Sequence, residues 1–213
     1  MQRLKQTVHA LSRLRHMRGF GIHSPFAFDF ILRTIREKAQ YYAYPAIRNQ
    51  RIALKHAGFR HLMSERHLRL LFRIVNRFQP TDVLLMGALS GEETAPLLEV
   101  SENISVNVLH GKYPDALEKR YKARIKEISQ TSRIHDFIIV NKPVKDADKI
   151  ILSAIGSGDC IIIFPRITEA ETLRLWNLAS LTMKRGMTFH NDSNFGIIIN
   201  HMRLPRQNFR IWM

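Results

Sequence analysis

The sequence of 213 residues contains one cysteine, Cys160, which excludes an internal disulfide and any cysteine-rich zinc site. It lies in the run Cys160-Ile161-Ile162-Ile163-Phe164 and reads as a small apolar residue of a buried strand rather than a reactive thiol. Long hydrophobic runs are missing as well. That stretch is among the longest, and a membrane span needs about 20 apolar residues. Residues 1 to 18 interleave Arg and Lys with Leu, so they lack the apolar centre of a signal peptide. These absences predict a soluble, cytoplasmic protein without a membrane span.

Acidic residues are scarce in the first third of the chain. Residues 1 to 80 hold only Asp29, Glu37 and Glu65 against 16 Lys and Arg, a balance of +13, whereas residues 81 to 213 hold 17 basic and 15 acidic residues, or +2. The asymmetry accounts for most of the net charge of +15. It points to an anionic partner for the first third, such as nucleic acid, an acidic protein or a phosphorylated small molecule. A basic surface facing only solvent is the alternative. With 45% apolar and 24% charged residues, the composition is that of a folded domain with a sizeable core.

What is present falls into two parts. In residues 2 to 18, Leu4, Val8, Leu11 and Leu14 recur at helical spacing, giving a basic amphipathic helix. Gly19-Phe20-Gly21 ends it. Ser24 followed by Pro25 predicts the cap and first position of a second helix running to about Lys38. The aromatic cluster Tyr41-Tyr42-Ala43-Tyr44-Pro45 predicts a loop, and 46 to 57 a third helix. Ser64 caps a fourth helix reaching Phe78, with Leu68, Leu71, Phe72 and Val75 on its apolar face. Arg66, Arg69, Arg73 and Arg77 form one stripe along it, a spacing suited to tracking phosphates and equally to a solvated face.

From Asp82 onward strands alternate with helices. The spacing predicts strands at Val83 to Met86, Ile104 to Leu109, Asp136 to Val140 and Cys160 to Phe164. It predicts helices at Glu92 to Glu99, Pro114 to Ile128, Asp146 to Ile155 and Thr168 to Lys184. Strands at about 187 to 190 and 195 to 200 suggest an antiparallel hairpin, with Asn208 to Trp212 as an edge strand. This is an α/β arrangement, a parallel sheet covered on both faces. Residues 1 to 80 read as a helical extension packed on the core, and 81 to 213 as the Rossmann-like domain. The interval from His110 to Asp136 is short for a strand with two helices, so the third strand-helix unit is expected to be truncated. Gly87 and Gly91, after the first strand, leave room for a ligand at a helix N-terminus.

The element Gly21-Ile22-His23-Ser24-Pro25-Phe26, Tyr41 to Tyr44, Leu70 to Phe78, the Gly87 and Gly91 turn, Asp192 with Phe195-Gly196-Ile197, and Arg206-Gln207-Asn208-Phe209 together resemble class I S-adenosylmethionine-dependent methyltransferases. More narrowly, they resemble a group of small bacterial methyltransferase-like proteins with a basic helical N-terminal extension. The resemblance implies a sheet that is parallel up to a terminal antiparallel hairpin, and S-adenosylmethionine as cofactor. It assigns the cofactor to Gly87, Ser90, Gly91, His110 and Asn141. The family's acids are replaced here by Leu85 in the first strand, His110 after the second, Asn141 after the fourth and Pro165-Arg166 after the next. Without carboxylates near residue 165, the resemblance implies no divalent metal.

Three functions follow from these features. One is an active methyltransferase of altered cofactor geometry with His23 as general base and Ser24 nearby, although His23 also suits a backbone hydrogen bond in its loop. Another is a fold with weakened or lost catalysis, acting as a binding module whose basic N-terminal third engages nucleic acid or an acidic partner through Arg66, Arg69, Arg73 and Arg77. The third is a decayed paralogue whose remaining role is to pair with an active relative; a homo- or hetero-dimer is among the expected assemblies.

Overall fold

The computed structural model describes residues 24–111, 113, 119–191 and 195–213. The amphipathic helix expected over 2 to 18, His23 and Asp192 lie outside the described residues. The first described helix, α1 (Pro25–Phe30), begins as expected: the Ser24 hydroxyl accepts from the Ala27 N–H and Pro25 takes the first position. It widens into a π-helical turn (Ile31–Ile35), short of the predicted Lys38. The helices α2 (Tyr44–His56) and α3 (Glu65–Phe78) follow. Ser64 caps α3, and Gln79, left-handed at φ 47°, ends it before Pro80.

The sheet contains β1 (Asp82–Met86), β2 (Ser105–Leu109), β3 (Ile125–Ile128), β4 (Phe137–Val140), β5 (Cys160–Phe164), β6 (Gly186–His190), β7 (Gly196–Asn200) and β8 (Gln207–Arg210). Its order is β3-β2-β1-β4-β5-β7-β6-β8. β7 runs antiparallel to both neighbours, while β8 returns parallel to β6 at the edge. The remaining helices are α4 (Thr94–Leu98), α5 (Lys119–Lys122), α6 (Ala147–Ser157) and α7 (Ala170–Thr182). The chain is therefore a mostly parallel Rossmann-like sheet with the expected antiparallel pair.

Alternation along the strands divides the apolar residues between two layers. Val83, Leu85, Val108, Ile139, Ile163 and Phe189 face a core built with α1 to α4, so the helices of residues 25 to 78 share one continuous core with the sheet. Leu84, Met86, Ile138, Ile162 and Phe164 face the other way, onto α6 and α7. Cys160 is buried in that second core, and burial pushes its thiol up to about 12, so it stays protonated. Among the described residues no helix is long and apolar enough to cross a membrane.

The predicted helix from Pro114 to Ile128 needs correcting. Residues 114–118 lie outside the description; Lys119–Lys122 form one helical turn, and Ile125–Ile128 is the edge strand β3. Pairing with β2 in parallel register overrides the helical spacing of Ile125 and Ile128. Residues 129 to 136 then run to β4 as a loop, so the third unit has no helix after its strand. The buried His135 holds this loop down: Nδ1 is 2.8 Å from Asp82 Oδ2 at the start of β1, and Nε2 is 3.0 Å from Thr131 Oγ1.

Candidate functional site

The turn after β1 is formed by backbone geometry that the two glycines permit. Gly87 has φ 64° and Gly91 φ 70°. The space beside Gly87 is taken by the chain itself. A Cβ built there would stand 2.7 Å from both Lys142 Cβ and the Lys142 carbonyl oxygen. Hydrogen bonds join the same loops: the Gly87 N–H donates to the Leu109 carbonyl at 3.0 Å, and the Asn141 N–H to the Met86 carbonyl at 3.0 Å. Gly111 approaches Ala88 as closely, so the segments after β1, β2 and β4 meet one another at the carboxyl edge of the sheet.

The N-terminal helices close the turn from above. Gln50 of α2, buried at 5% exposure, donates through Nε2 to the Gly91 carbonyl at 2.8 Å. Its Oε1 accepts from the Ala95 N–H at 2.8 Å. A neutral amide thus engages a donor of the first turn of α4, where an anionic group would otherwise be received. Thr94 Oγ1 donates to the same Gly91 carbonyl, and Ser90 is buried with its hydroxyl unpartnered in the protein.

Two acids missed by the sequence reading lie at the centre of the site. Glu92 and Glu93 are 2% and 1% exposed. Glu92 Oε2 accepts from the Met63 N–H at 2.6 Å, and Oε1 accepts from Arg166 at 3.1 Å. Arg166 also donates to the His61 carbonyl, tying the segment after β5 to the loop between α2 and α3. Glu93 Oε1 accepts from Asn141 Nδ2 at 2.5 Å, while its Oε2 is buried without a partner. Burial and the neighbouring Glu93 push the Glu92 carboxyl up to about 8, and burial likewise raises that of Glu93. Near neutrality Glu92 therefore favours its protonated form. The one sequence signal was the acidic dipeptide directly after the turn.

The other sequence-predicted residues are dispersed. Asn141 belongs to the turn through Glu93. His110, at φ 51°, is exposed on the rim of a separate cavity of about 560 Å³ with Leu109, Thr131, Arg133, Lys145 and Lys149. Leu85 is buried in the helix-side core and Phe164 packs edge-on against Trp176. The arginine stripe lies away from the turn and is largely engaged. Arg73 donates to the carbonyls of Thr34 and Ile35 and to the Tyr44 hydroxyl. Those two carbonyls belong to the π-helical turn, whose end Arg73 satisfies. Arg77 pairs with Asp29 at 2.7 Å, and Arg69 pairs with Glu65 and lies over the Tyr44 ring. Arg66 is exposed. Among the described residues no group of three or more His, Cys, Asp or Glu is placed to hold a metal.

No protein-family model matches the chain, and no curated protein matches its sequence. Solved structures do share its fold. Cofactor-bound Rv0187 from MTB superposes with a TM-score of 0.54 at 14% identity, covering 83% of this chain and 97% of that one. An O-methyltransferase from Bacillus cereus in complex with SAH gives 0.53 at 12% identity, covering 79% and 94%. The chain has a class I methyltransferase-like fold.

That fold implies S-adenosylmethionine, and the residues at the turn do not fit it. The room beside Gly87 is filled by Lys142, and Gln50 engages the start of α4. Of the two acids that would meet a cationic ligand, Glu92 is bonded to Arg166 and Met63 and Glu93 to Asn141 through one oxygen, and burial favours their neutral forms. No ribose-binding carboxylate follows β2, where His110 stands instead.

Proposed function

We propose that this chain is a methyltransferase-like protein whose cofactor binding and catalysis are weakened or lost, and which acts as a binding module through its basic N-terminal third. The closed turn after β1 carries the reading. It is supported by Lys142 packed beside Gly87, Gln50 bonded to the Gly91 carbonyl and Glu92 paired with Arg166, contacts the turn makes within the protein itself. A transferred methyl group requires a cofactor held within reach of its acceptor, and a turn bonded to itself supplies no such hold.

The expected result is that calorimetric titration with S-adenosylmethionine or S-adenosylhomocysteine gives no saturable heat up to about 1 mM, a limit weaker than −4 kcal/mol or so of binding energy. Binding of either compound with a micromolar Kd would overturn the proposal. The anionic partner is supported by the charge of +13 over residues 1 to 80. Replacing the four arginines of the stripe together would not test it cleanly, because Arg73 and Arg77 fasten α1 and the π-helical turn to α3.

A further inference from the structure

A strongly charged concavity lies apart from the turn, between α2, α3 and the segment after the π-helical turn. It encloses about 630 Å³. Six cations line it: Arg36, Lys38, Arg48, Arg66, Arg69 and Arg73. The two acids in its wall, Glu37 and Glu65, are both held by donors of the protein. Glu37 Oε1 accepts from the N–H groups of Lys38 and Ala39, each at 2.7 Å, and Glu65 Oε1 accepts from Arg48 at 3.1 Å and from Arg69. The lining therefore has an excess of four positive charges, and one oxygen of each carboxylate is engaged by donors of the protein. Arg69 Nε, in the same wall, is buried without an acceptor.

Two aromatic rings line the cleft, Tyr44, buried beneath Arg69, and Trp212, which is 49% exposed. A concave cationic surface beside a half-exposed indole combines the two elements that bind a nucleotide without reading its sequence, phosphate neutralisation and base stacking. The volume suits one or two nucleotide units.

We propose that this cleft binds a phosphorylated nucleoside, either free or as a unit of a single strand, with the phosphate among Lys38, Arg48 and Arg66 and the base against Trp212. The proposal deepens the binding-module reading by naming the chemistry of the anionic partner. It stands separately from the closed turn, since titration with S-adenosylmethionine and titration of the cleft fail independently.

The test uses the full chain, titrated with AMP, with a fluorescein-labelled single-stranded RNA dodecamer, with inorganic phosphate and with a glutamate peptide. Binding is followed by anisotropy for the RNA and by calorimetry for AMP, phosphate and the peptide. The RNA is expected to bind at about 50 mM salt and to weaken at least tenfold by about 200 mM. Replacing Lys38, Arg48 and Arg66 together by glutamine is expected to weaken binding about tenfold or more with little change in Tm, because these three side chains are exposed. Trp212→Leu is expected to weaken AMP and RNA several-fold while leaving phosphate unchanged. Binding of AMP alone identifies a free nucleotide, and binding of RNA alone identifies a strand. Failure of both ligands at low salt, equal affinity in the triple variant, or displacement by the glutamate peptide as effective as by AMP would overturn the proposal.

Discussion

Arg166→Met is expected to destabilise the protein by about 3–5 kcal/mol above pH 8 or so and by much less near pH 5. The reason is the Glu92 carboxyl, buried at 2% exposure and joined to Arg166 at 3.1 Å. Its folded value lies at about 8, above the ordinary 4.5, so the stability it contributes is complete below 4.5 and declines as pH rises toward 8. Once ionised, the carboxylate depends on the guanidinium, and removing that partner leaves a buried charge unanswered. In acid the carboxyl is neutral and the substitution removes little beyond hydrogen bonds. Urea melts at the two pH values measure the difference, and the double variant with Glu92→Gln provides the control. There the cost at high pH is expected to fall to about 1–2 kcal/mol. A cost independent of pH and of Glu92 would show that Arg166 acts only through the His61 carbonyl.

The Glu92→Gln variant alone is expected to flatten the decline of stability between 4.5 and about 8. Burial lowers the pKa of His67 and His190 below 6.5, which adds a change of opposite sign as pH rises toward that value. Subtracting the variant's profile from that of the parent isolates the carboxyl.

Gly186→Ala is the second large effect, at about 3–5 kcal/mol and a fall in Tm of roughly 10 °C. Gly186 opens β6 with φ 119°, a region that residues with a Cβ rarely adopt. An added Cβ would overlap the Ile199 carbonyl oxygen of β7 and lie 2.9 Å from Asn200 Cα. Both neighbours are backbone in a paired strand, so relief requires β6 to part from β7. Differential scanning calorimetry measures the loss. A shift of less than about 3 °C would show that the strand start accommodates a side chain. Gly58 is the comparison: its φ is 88°, but nothing lies within 4 Å of a Cβ there, so Gly58→Ala tests backbone strain without the collision.

The alternation of strands and helices from Asp82 onward was legible because buried parallel strands leave continuous apolar runs such as Val83 to Met86 and Ile161 to Phe164. Ile125 and Ile128 were misleading because a four-residue edge strand has too few positions to separate a period of two from a helical one. The site was less legible than the fold. Gly87 announces a special backbone, but sequence does not show whether ligand or protein fills the space, and Lys142 is brought there by the pairing of β1 with β4. Glu92 and Glu93 read as surface charge until Met63, Arg166 and Asn141 converge on them from three other segments. The arginine stripe was visible, yet its partners Asp29, Thr34 and Ile35 belong to an element whose position only the tertiary fold determines.

A chain of rings crosses the helix-side core. Phe26 stacks on Phe30, Phe30 lies 4.8 Å from Phe189, and Phe189 stacks on Phe209 at 5.1 Å. It joins α1 to β6 and β8, positions roughly 180 residues apart, and closing so long a loop is slow relative to forming local contacts. The β1–β2 pair needs only the short connection through α4 and can assemble first. On a folding clock, the aromatic chain is expected to form late, joining the N-terminal helices to the far edge of the sheet after the local pairs are in place.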